Sequence, residues 1–307
     1  MKTDHPRMKP THRWWLPLLA IVLAAAWVDQ ASGQLMVTLQ MTKKTYVAFE
    51  PLELVVSVAN RTGRDVVLHG PATGEGWLSF EVLDNSGHLI APANTLEYPP
   101  IAIRNGFTEK HKVNIGANYP LGDYGNYRIR ATAYYSPSSQ YYSSNRISVN
   151  ITDGKVIWEQ VVGVPQGRAG AGGMRRYMLL TYRDKEKTNL YVRVKNENSG
   201  AVLTTHRIGR ILLFSEPQVT VDGDNRLHIF YNGAPKTFVH AEVELNGTVN
   251  KPDVYRELGT TNRPYLVTNR SGGVKVVGGK HLNPDTPEAD VNAGIRRLSE
   301  RPPGLPF

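Results

Sequence analysis

The stretch P-Q-V-T-V-D-G-D-N-R-L-H-I-F-Y-N-G at residues 217–233 determines how the second half of the chain folds. Val219 and Val221 alternate with polar residues, which is the period of a half-buried strand. The tetrapeptide D-G-D-N at residues 222–225 is typical of a tight turn, and an apolar run resumes at Leu227. The pattern therefore predicts two antiparallel strands joined by a hairpin turn.

A similar pattern returns further along the chain. Residues 217–229 align without a gap on residues 264–276, which lie 47 residues later. A second echo relates Tyr182 to Tyr231, 49 residues apart, because each ends an apolar run that is followed by a polar turn and another apolar run. Several short strands repeated at such a period are the sequence signature of propeller blades.

The run D-G-D-N-R-L-H-I-F-Y at residues 222–231 resembles the blade strands of sialidase-like and lectin-like propellers. The sialidase box S-x-D-x-G-x-T-W is absent from the chain. Residues 154–282 have room for two or three units, whereas a closed propeller needs at least about four blades. We therefore expect an open, blade-like antiparallel β-meander of roughly two four-stranded units over this segment.

Residues 34–153 have the pattern of an antiparallel β-sandwich. Short apolar-alternating runs recur there, with Gly, Asn and Asp at the turns between them. Strands are predicted at residues 35–41, 52–60, 66–68, 77–84, 108–115, 126–135 and 145–151. With the meander that follows, the predicted fold class is all-β.

Two motifs within this segment resemble a known family. The run Y-V-A-F-E-P-L-E-L at residues 46–54, with the turn at Gly63, is similar to the start of bacterial immunoglobulin-like domains, including macroglobulin-type modules. The run L-G-D-Y-G-N-Y at residues 121–127 is similar to the entry to strand F of such sandwiches. The resemblance implies an immunoglobulin-like fold over residues 34–153 and makes Tyr127 a tyrosine-corner residue, whose hydroxyl bonds back to the main chain. It implies no activity.

Residues 1–33 have the three parts of a secretory signal peptide. Basic residues precede an uncharged run at residues 14–28, and A-S-G at residues 31–33 forms a small-x-small cleavage site. The apolar run is about 15 residues, short of the roughly 20 that span a bilayer. We expect cleavage near Gly33, an exported chain and no transmembrane helix in the mature protein. A retained signal anchor is the alternative.

The composition limits which cellular compartment and which classes of partner are expected. The chain has no cysteine, which excludes disulfides, thiolate metal sites and cysteine nucleophiles. Because small exported eukaryotic domains usually carry disulfides, an exported chain without them fits a bacterial envelope, either in the periplasm or secreted. The net charge is +9, but the basic residues are scattered, so nucleic acid is not an expected partner.

Two segments lack a strand pattern. The glycine-rich run Q-G-R-A-G-A-G-G at residues 166–173 has neither the P-loop spacing nor G-x-G-x-x-G, and it leads into an apolar strand pattern. A flexible loop is therefore a better interpretation than an anion site. Residues 283–307 are proline-rich and charged, which predicts a disordered tail.

Signatures of catalysis and metal binding are missing. The sequence contains no G-x-S-x-G and no S-x-x-K motif. His228 and His240 are predicted on neighbouring strands, but two histidines without a carboxylate cluster fall short of a metal site. The D-G-D-N turn at residues 222–225 lacks the later glutamate of an EF-hand. We predict no catalytic residue, no metal ligand and no cofactor.

The candidate binding residues are Tyr134, Tyr135, Tyr141 and Tyr142, in the run Y-Y-S-P-S-S-Q-Y-Y-S-S-N at residues 134–145. Tyrosine, serine and asparagine give rigid aromatic contact area with adaptable hydrogen bonding, as in paratope loops. We expect this run to be the loop that joins the last two sandwich strands. The alternative is that Tyr134 and Tyr142 extend the strands and pack inward.

These observations predict an exported, non-catalytic binding or scaffolding protein of the bacterial envelope. It would recognise an envelope protein or a polysaccharide through the sandwich loops and the blade surface, and exposed sheet edges would allow homo-oligomers. The alternative is a sialidase- or glycosidase-like enzyme with a truncated propeller. Three clustered arginines facing a tyrosine and a carboxylate in one cleft would favour that enzyme.

Overall fold

The computed structural model describes residues 34–71, 76–94, 97–185, 187–259 and 261–282. Within these ranges the protein is all-β, with twenty strands in several mostly antiparallel sheets and two single-turn 3-10 segments, Ile115–Ala117 and Ser136–Ser138. None of the helical segments in this part of the chain is long and apolar enough to cross a membrane. The predicted signal peptide and C-terminal tail lie outside the described residues.

The N-terminal half folds into two main sheets that share one core. One sheet has the order β1-β3-β7, the other has the order β2-β9-β8-β5, and β4 pairs with β6. All pairs are antiparallel except β2 with β9. The strands are β1 Leu35–Met41, β2 Thr45–Val47, β3 Glu53–Asn60, β4 Val66–Leu68, β5 Leu78–Leu83, β6 Ile101–Ile103, β7 Thr108–Asn114, β8 Gly125–Tyr135 and β9 Gln140–Thr152.

The C-terminal half contains three antiparallel sheets. They have the orders β10-β11-β12-β13, β14-β15-β16-β17-β20 and β18-β19. The strands are β10 Lys155–Gly163, β11 Met174–Asp184, β12 Lys187–Asn196, β13 Val202–Arg210, β14 Gln218–Val221, β15 Leu227–Ala234, β16 Thr237–Val243, β17 Asp253–Arg256, β18 Tyr265–Thr268, β19 Val274–Val277 and β20 Lys280–Leu282.

The sandwich core forms because its strands alternate apolar and polar residues. On β3 the side chains of Leu54, Val56 and Val58 face the core, as their spacing predicts. One apolar cluster draws on both main sheets and contains Trp77, which is fully buried. Tyr127 donates a hydrogen bond from its hydroxyl to the carbonyl of Asp123 at 2.8 Å, which confirms the bond that the tyrosine-corner resemblance implies.

The sheet β10–β13 is a middle layer, because both of its faces are covered. Leu179 and Val192 pack with residues of β15 and β16 in a second apolar cluster. Leu180 and Tyr191, one position along each strand, pack against Val47 of the sandwich. Consecutive residues of β12 are therefore buried, where a strand with one exposed face would alternate.

A buried arginine joins the sandwich to the middle layer. The guanidinium of Arg193 donates to the carbonyl of Ala48 at 3.0 Å and to the carboxylate of Asp153 at 3.1 Å. Its Nε donates to Thr205 Oγ1 at 3.0 Å, so the charged group has partners on both sides of the junction. Because an unpaired buried charge is costly, these bonds hold the two halves in one arrangement.

The repeat in the sequence corresponds to equivalent hairpins. The strands β14 and β15 and the strands β18 and β19 occupy matching positions in the two aligned segments. The expectation of two four-stranded units needs correction. The sheet β14-β15-β16-β17-β20 has five strands, because the chain returns to it after the β18–β19 hairpin and β20 pairs with β17.

Candidate functional site

The four candidate tyrosines lie in strands. In the ladder between β8 and β9, Tyr134 is opposite Tyr141, and Tyr135 is opposite Gln140. The connection between the strands is a single 3-10 turn followed by Ser139 in the left-handed region, at φ 52°. The expectation that these tyrosines form the connecting loop is therefore wrong, because cross-strand aromatic pairing extends the hairpin to its tip.

Strand alternation separates the tyrosines onto two faces. Tyr135 is buried in the sandwich core, and Tyr142 packs against that core from its margin. Tyr134 and Tyr141 point outward with their ring centroids 4.9 Å apart, and Tyr141 is 61% exposed. The outward pair therefore forms an aromatic surface, and its Tyr141 ring is exposed to solvent.

Polar side chains continue this outer face along the same strands. Thr132 and Ser143 form the next cross-strand pair, with their hydroxyl oxygens 3.2 Å apart. Further along, Arg146 donates to Glu81 on β5 at 2.6 Å, and Arg130 lies opposite Glu81. We call the surface formed by Tyr134, Tyr141, Thr132, Ser143, Glu81, Arg130 and Arg146 the tyrosine face. Its rings and hydrogen-bonding groups can contact a ligand that has both apolar faces and hydroxyls.

The inward tyrosines line a second surface at the same end of the sandwich. Tyr135 and Tyr142 border a cavity of about 460 Å³, together with Arg64 of the neighbouring turn. The hydroxyl of Tyr142 donates to Gln140 Oε1 at 2.9 Å. All four sequence-predicted residues therefore lie at one end of the hairpin, but on two surfaces.

The polar part of the tyrosine face was not predicted from the sequence. Its signal was present, because Arg130, Thr132 and Tyr134 alternate with buried alanines along β8. Counting outward from Tyr134 by two residues would have placed Thr132 and Arg130 on the same face. The position of Glu81 on this face could not be predicted in the same way, because it depends on the pairing of β5 with β8, which are far apart in the sequence.

His228 and His240 lie on neighbouring strands, as predicted, with stacked rings and Nδ1 of His228 3.0 Å from Nε2 of His240. Single carboxylates from two different segments approach His228, and Asp222 Oδ2 lies 3.2 Å from its Nε2. Glu242 Oε2 is 3.9 Å from Nδ1 of His228. Among the described residues, however, no group of three or more such side chains is arranged to hold a metal ion.

The D-G-D-N turn is a hairpin turn, as predicted, and Asp222 organises it. Its Oδ1 accepts the main-chain N–H groups of Asp224 and Arg226 at 2.9 and 2.8 Å, and its Oδ2 is 2.7 Å from the Arg226 guanidinium. Burial opposes ionisation, but the N–H of Arg226, His228 and the guanidinium outweigh it and lower the pKa of Asp222. This cluster holds β14, β15 and β16 together.

Comparison with known proteins adds little. No protein-family model matches the chain, and no curated protein matches it. Among solved structures the chain is similar to Spo0M, a sporulation control protein from Bacillus subtilis, at 9% identity, over 55% of this chain and 83% of that one. The TM-score is 0.28, so this likeness carries no argument about fold or function.

Proposed function

We propose that this protein is an exported, non-catalytic binding protein of the bacterial envelope that recognises a polysaccharide through the tyrosine face. The observation that carries the proposal is the outward pair of Tyr134 and Tyr141, beside the hydroxyls of Thr132 and Ser143. Sugar rings have apolar faces that stack on aromatic rings and hydroxyls that bond to polar side chains, so this surface suits them.

At the level of domains, we propose an immunoglobulin-like sandwich over residues 34–153 and a blade-like meander over residues 154–282. The two sheets around one core and the Tyr127 bond support the first assignment. The sequential order β10-β11-β12-β13 and the matching hairpins support the second. In this proposal the middle layer and the sheets behind it support the sandwich and add surface for an envelope protein.

The test is a glycan array with the full chain, followed by affinity electrophoresis in the polysaccharides that bind. Tyr141→Ala should weaken binding about tenfold, because a stacked ring contributes about 1.4 kcal/mol. Tyr265→Ala is the matched control, since Tyr265 is also exposed on a strand but lies on β18, away from the tyrosine face. It should bind as the unmodified chain does.

Two results would contradict the proposal. If no glycan binds, and a pull-down from envelope extract enriches a protein instead, the ligand class is wrong. If a polysaccharide binds equally well to the Tyr141→Ala chain, binding occurs on another surface and the assignment to the tyrosine face is wrong.

A further inference from the structure

A separate cleft lies where the sandwich meets the middle layer. It has a volume of about 490 Å³, with one wall from the segment around β2 and the other from β11, β12 and β13. Its lining includes Tyr46, Tyr182 and Tyr191. None of its residues belongs to the tyrosine face, so it is a second concave surface that the proposed function does not use.

The sandwich wall of the cleft is held in place by an ion pair. Lys43 Nζ lies 2.5 Å from Glu50 Oε1, and the other carboxylate oxygen of Glu50 accepts the N–H of Val47 at 3.1 Å. The same ammonium sits 4.5 Å from the ring centre of Tyr46 and 5.8 Å from that of Tyr191. Since Tyr46 belongs to the sandwich and Tyr191 to the middle layer, Lys43 contacts both halves of the molecule.

The opposite wall presents an arginine in a fixed orientation. Arg207 on β13 donates through Nε and Nη2 to Asn189 Oδ1, at 3.0 and 2.8 Å. Asn189 itself is buried, whereas Arg207 is exposed and lines the cleft. A guanidinium held along one edge keeps its planar group positioned for a ligand, with less rotamer entropy to lose on binding.

The charges of the lining indicate a ligand without net charge. The cations Lys43, Lys187 and Arg207 are matched by three carboxylates, those of Glu50, Glu53 and Asp184. A site for phosphate or sulfate would carry an excess of cations. Apart from the tyrosines and Pro51, no apolar side chain lines the cleft among the described residues, so it lacks the apolar pocket that anchors most peptides.

We infer that this cleft is a second carbohydrate site, which takes one or two neutral sugar residues. Donors and acceptors such as the Arg207 guanidinium and the Asp184 carboxylate line the cleft and suit the vicinal hydroxyls of a sugar. Tyr182, which is partly exposed, adds an aromatic surface, whereas Tyr46 and Tyr191 are buried behind the lining. One arginine lines the cleft, so its described residues lack the three-arginine arrangement that would favour the sialidase-like alternative. The inference rests on the proposed function for its ligand class, but not for its residues.

The test uses isothermal titration of the full chain with three neutral disaccharides, maltose, cellobiose and N,N′-diacetylchitobiose, and with glucuronic acid as an anionic comparator. At least one disaccharide should bind, and Arg207→Ala should weaken that binding at least tenfold. Arg210→Ala is the matched control, because Arg210 is exposed on the same strand and does not line the cleft. Thr42→Trp places a bulky ring at the exposed rim and should abolish binding while leaving the melting temperature unchanged.

The outcomes separate this inference from the proposed function. Loss of disaccharide binding in Arg207→Ala and Thr42→Trp, with Tyr141→Ala unaffected, supports a separate site. If no disaccharide binds, or if glucuronic acid binds more tightly than the neutral sugars, the inference is wrong. It is also wrong if only Tyr141→Ala reduces binding, and the proposed function would then stand alone.

Discussion

The two halves of the molecule differ in what they bury. In the sandwich, the polar residues that are buried as whole residues are Ser57, Asn60 and Ser144, all uncharged. The side chain of Glu50 is also buried, but it lies at the junction with the middle layer, where it pairs with Lys43. In the C-terminal half, four of the buried polar residues are charged or titratable, namely Arg175, Arg193, Asp222 and His228. The buried Asn189, Thr205 and Asn232 are uncharged.

The layering of the sheets explains this difference for Arg175, Asn189, Arg193 and Thr205, which lie on strands of the middle layer. Most strands of the sandwich sheets have one covered face, so most of their polar side chains lie on the other face. The middle layer has two covered faces, so some polar side chains on its strands are buried and must find partners. The sandwich is therefore stabilised mainly by packing, and the C-terminal half by packing together with fixed polar pairs. Four changes test this contrast.

The largest effect is expected from the sandwich core. Trp77→Ala should lower the free energy of unfolding by about 4 kcal/mol, because the indole is fully buried and its removal leaves a cavity. Chemical denaturation at two pH values measures the loss, which should be equal at both. Trp158→Ala, at a partly exposed site on β10, should cost clearly less. Equal losses at the two sites would contradict a packing-dominated sandwich.

Removing the junction arginine should come next. Arg193→Ala should cost about 3 kcal/mol, because the carbonyl of Ala48 and the hydroxyl of Thr205 lose their donor inside the protein. Urea unfolding followed by tryptophan fluorescence measures it. Arg183→Ala is the control, since Arg183 is exposed at the end of β11. If Arg193→Ala is no more costly than this control, the buried pairs do not hold the two halves together.

A single hydrogen bond of the sandwich should have a smaller effect. Tyr127→Phe keeps the buried ring but removes the hydroxyl that donates to Asp123, so we expect a loss of about 1 kcal/mol. Thermal unfolding measures this change. Tyr124→Phe, which removes an exposed hydroxyl bonded to Asp153, should be nearly neutral. A loss above that of Arg193→Ala would reverse the contrast between the halves.

The smallest effect is a dependence on mild acid that belongs to the C-terminal half. Burial and the neighbouring His228 lower the pKa of His240, and the carboxylates of Asp253 and Glu242 oppose this only in part. The unfolded chain takes up a proton at this histidine near pH 6.5, about its ordinary pKa, and the folded chain only at lower pH. The stabilisation is therefore complete above pH 6.5 and is lost as the pH falls toward the folded pKa.

The acid effect is measured as the free energy of unfolding between about pH 7.5 and pH 5. His240→Gln should flatten this profile, because it removes the titrating ring. His69→Gln is the control, since His69 is exposed on the sandwich and its ring hydrogen-bonds to the carbonyl of the adjacent Gly70, so the profile should fall as it does in the unmodified chain. An unchanged slope in His240→Gln would show that another group carries the dependence.

Particular residues show how far the sequence could be interpreted. The hairpin at residues 217–233, the turn at Asp222 and the repeat near residue 264 were all predictable, because turn chemistry and strand period are local. For the candidate site, the sequence placed the four tyrosines together at one end of the sandwich, and the structure places them there. It did not predict that Tyr135 is buried while Tyr141 is exposed, because that depends on where the hairpin turns and which face the other sheet covers.

The sequence by itself determined the all-β class, most strand positions and the turns, since each depends on neighbours within a few residues. Only the tertiary structure decided which faces received a second layer. Arg193 alternates along β12 like any surface residue, and it is buried because the sandwich lies on it, with Ala48 145 residues away in the chain. The junction cleft has the same origin. Its walls come from segments that local patterns describe separately, and folding brings them together.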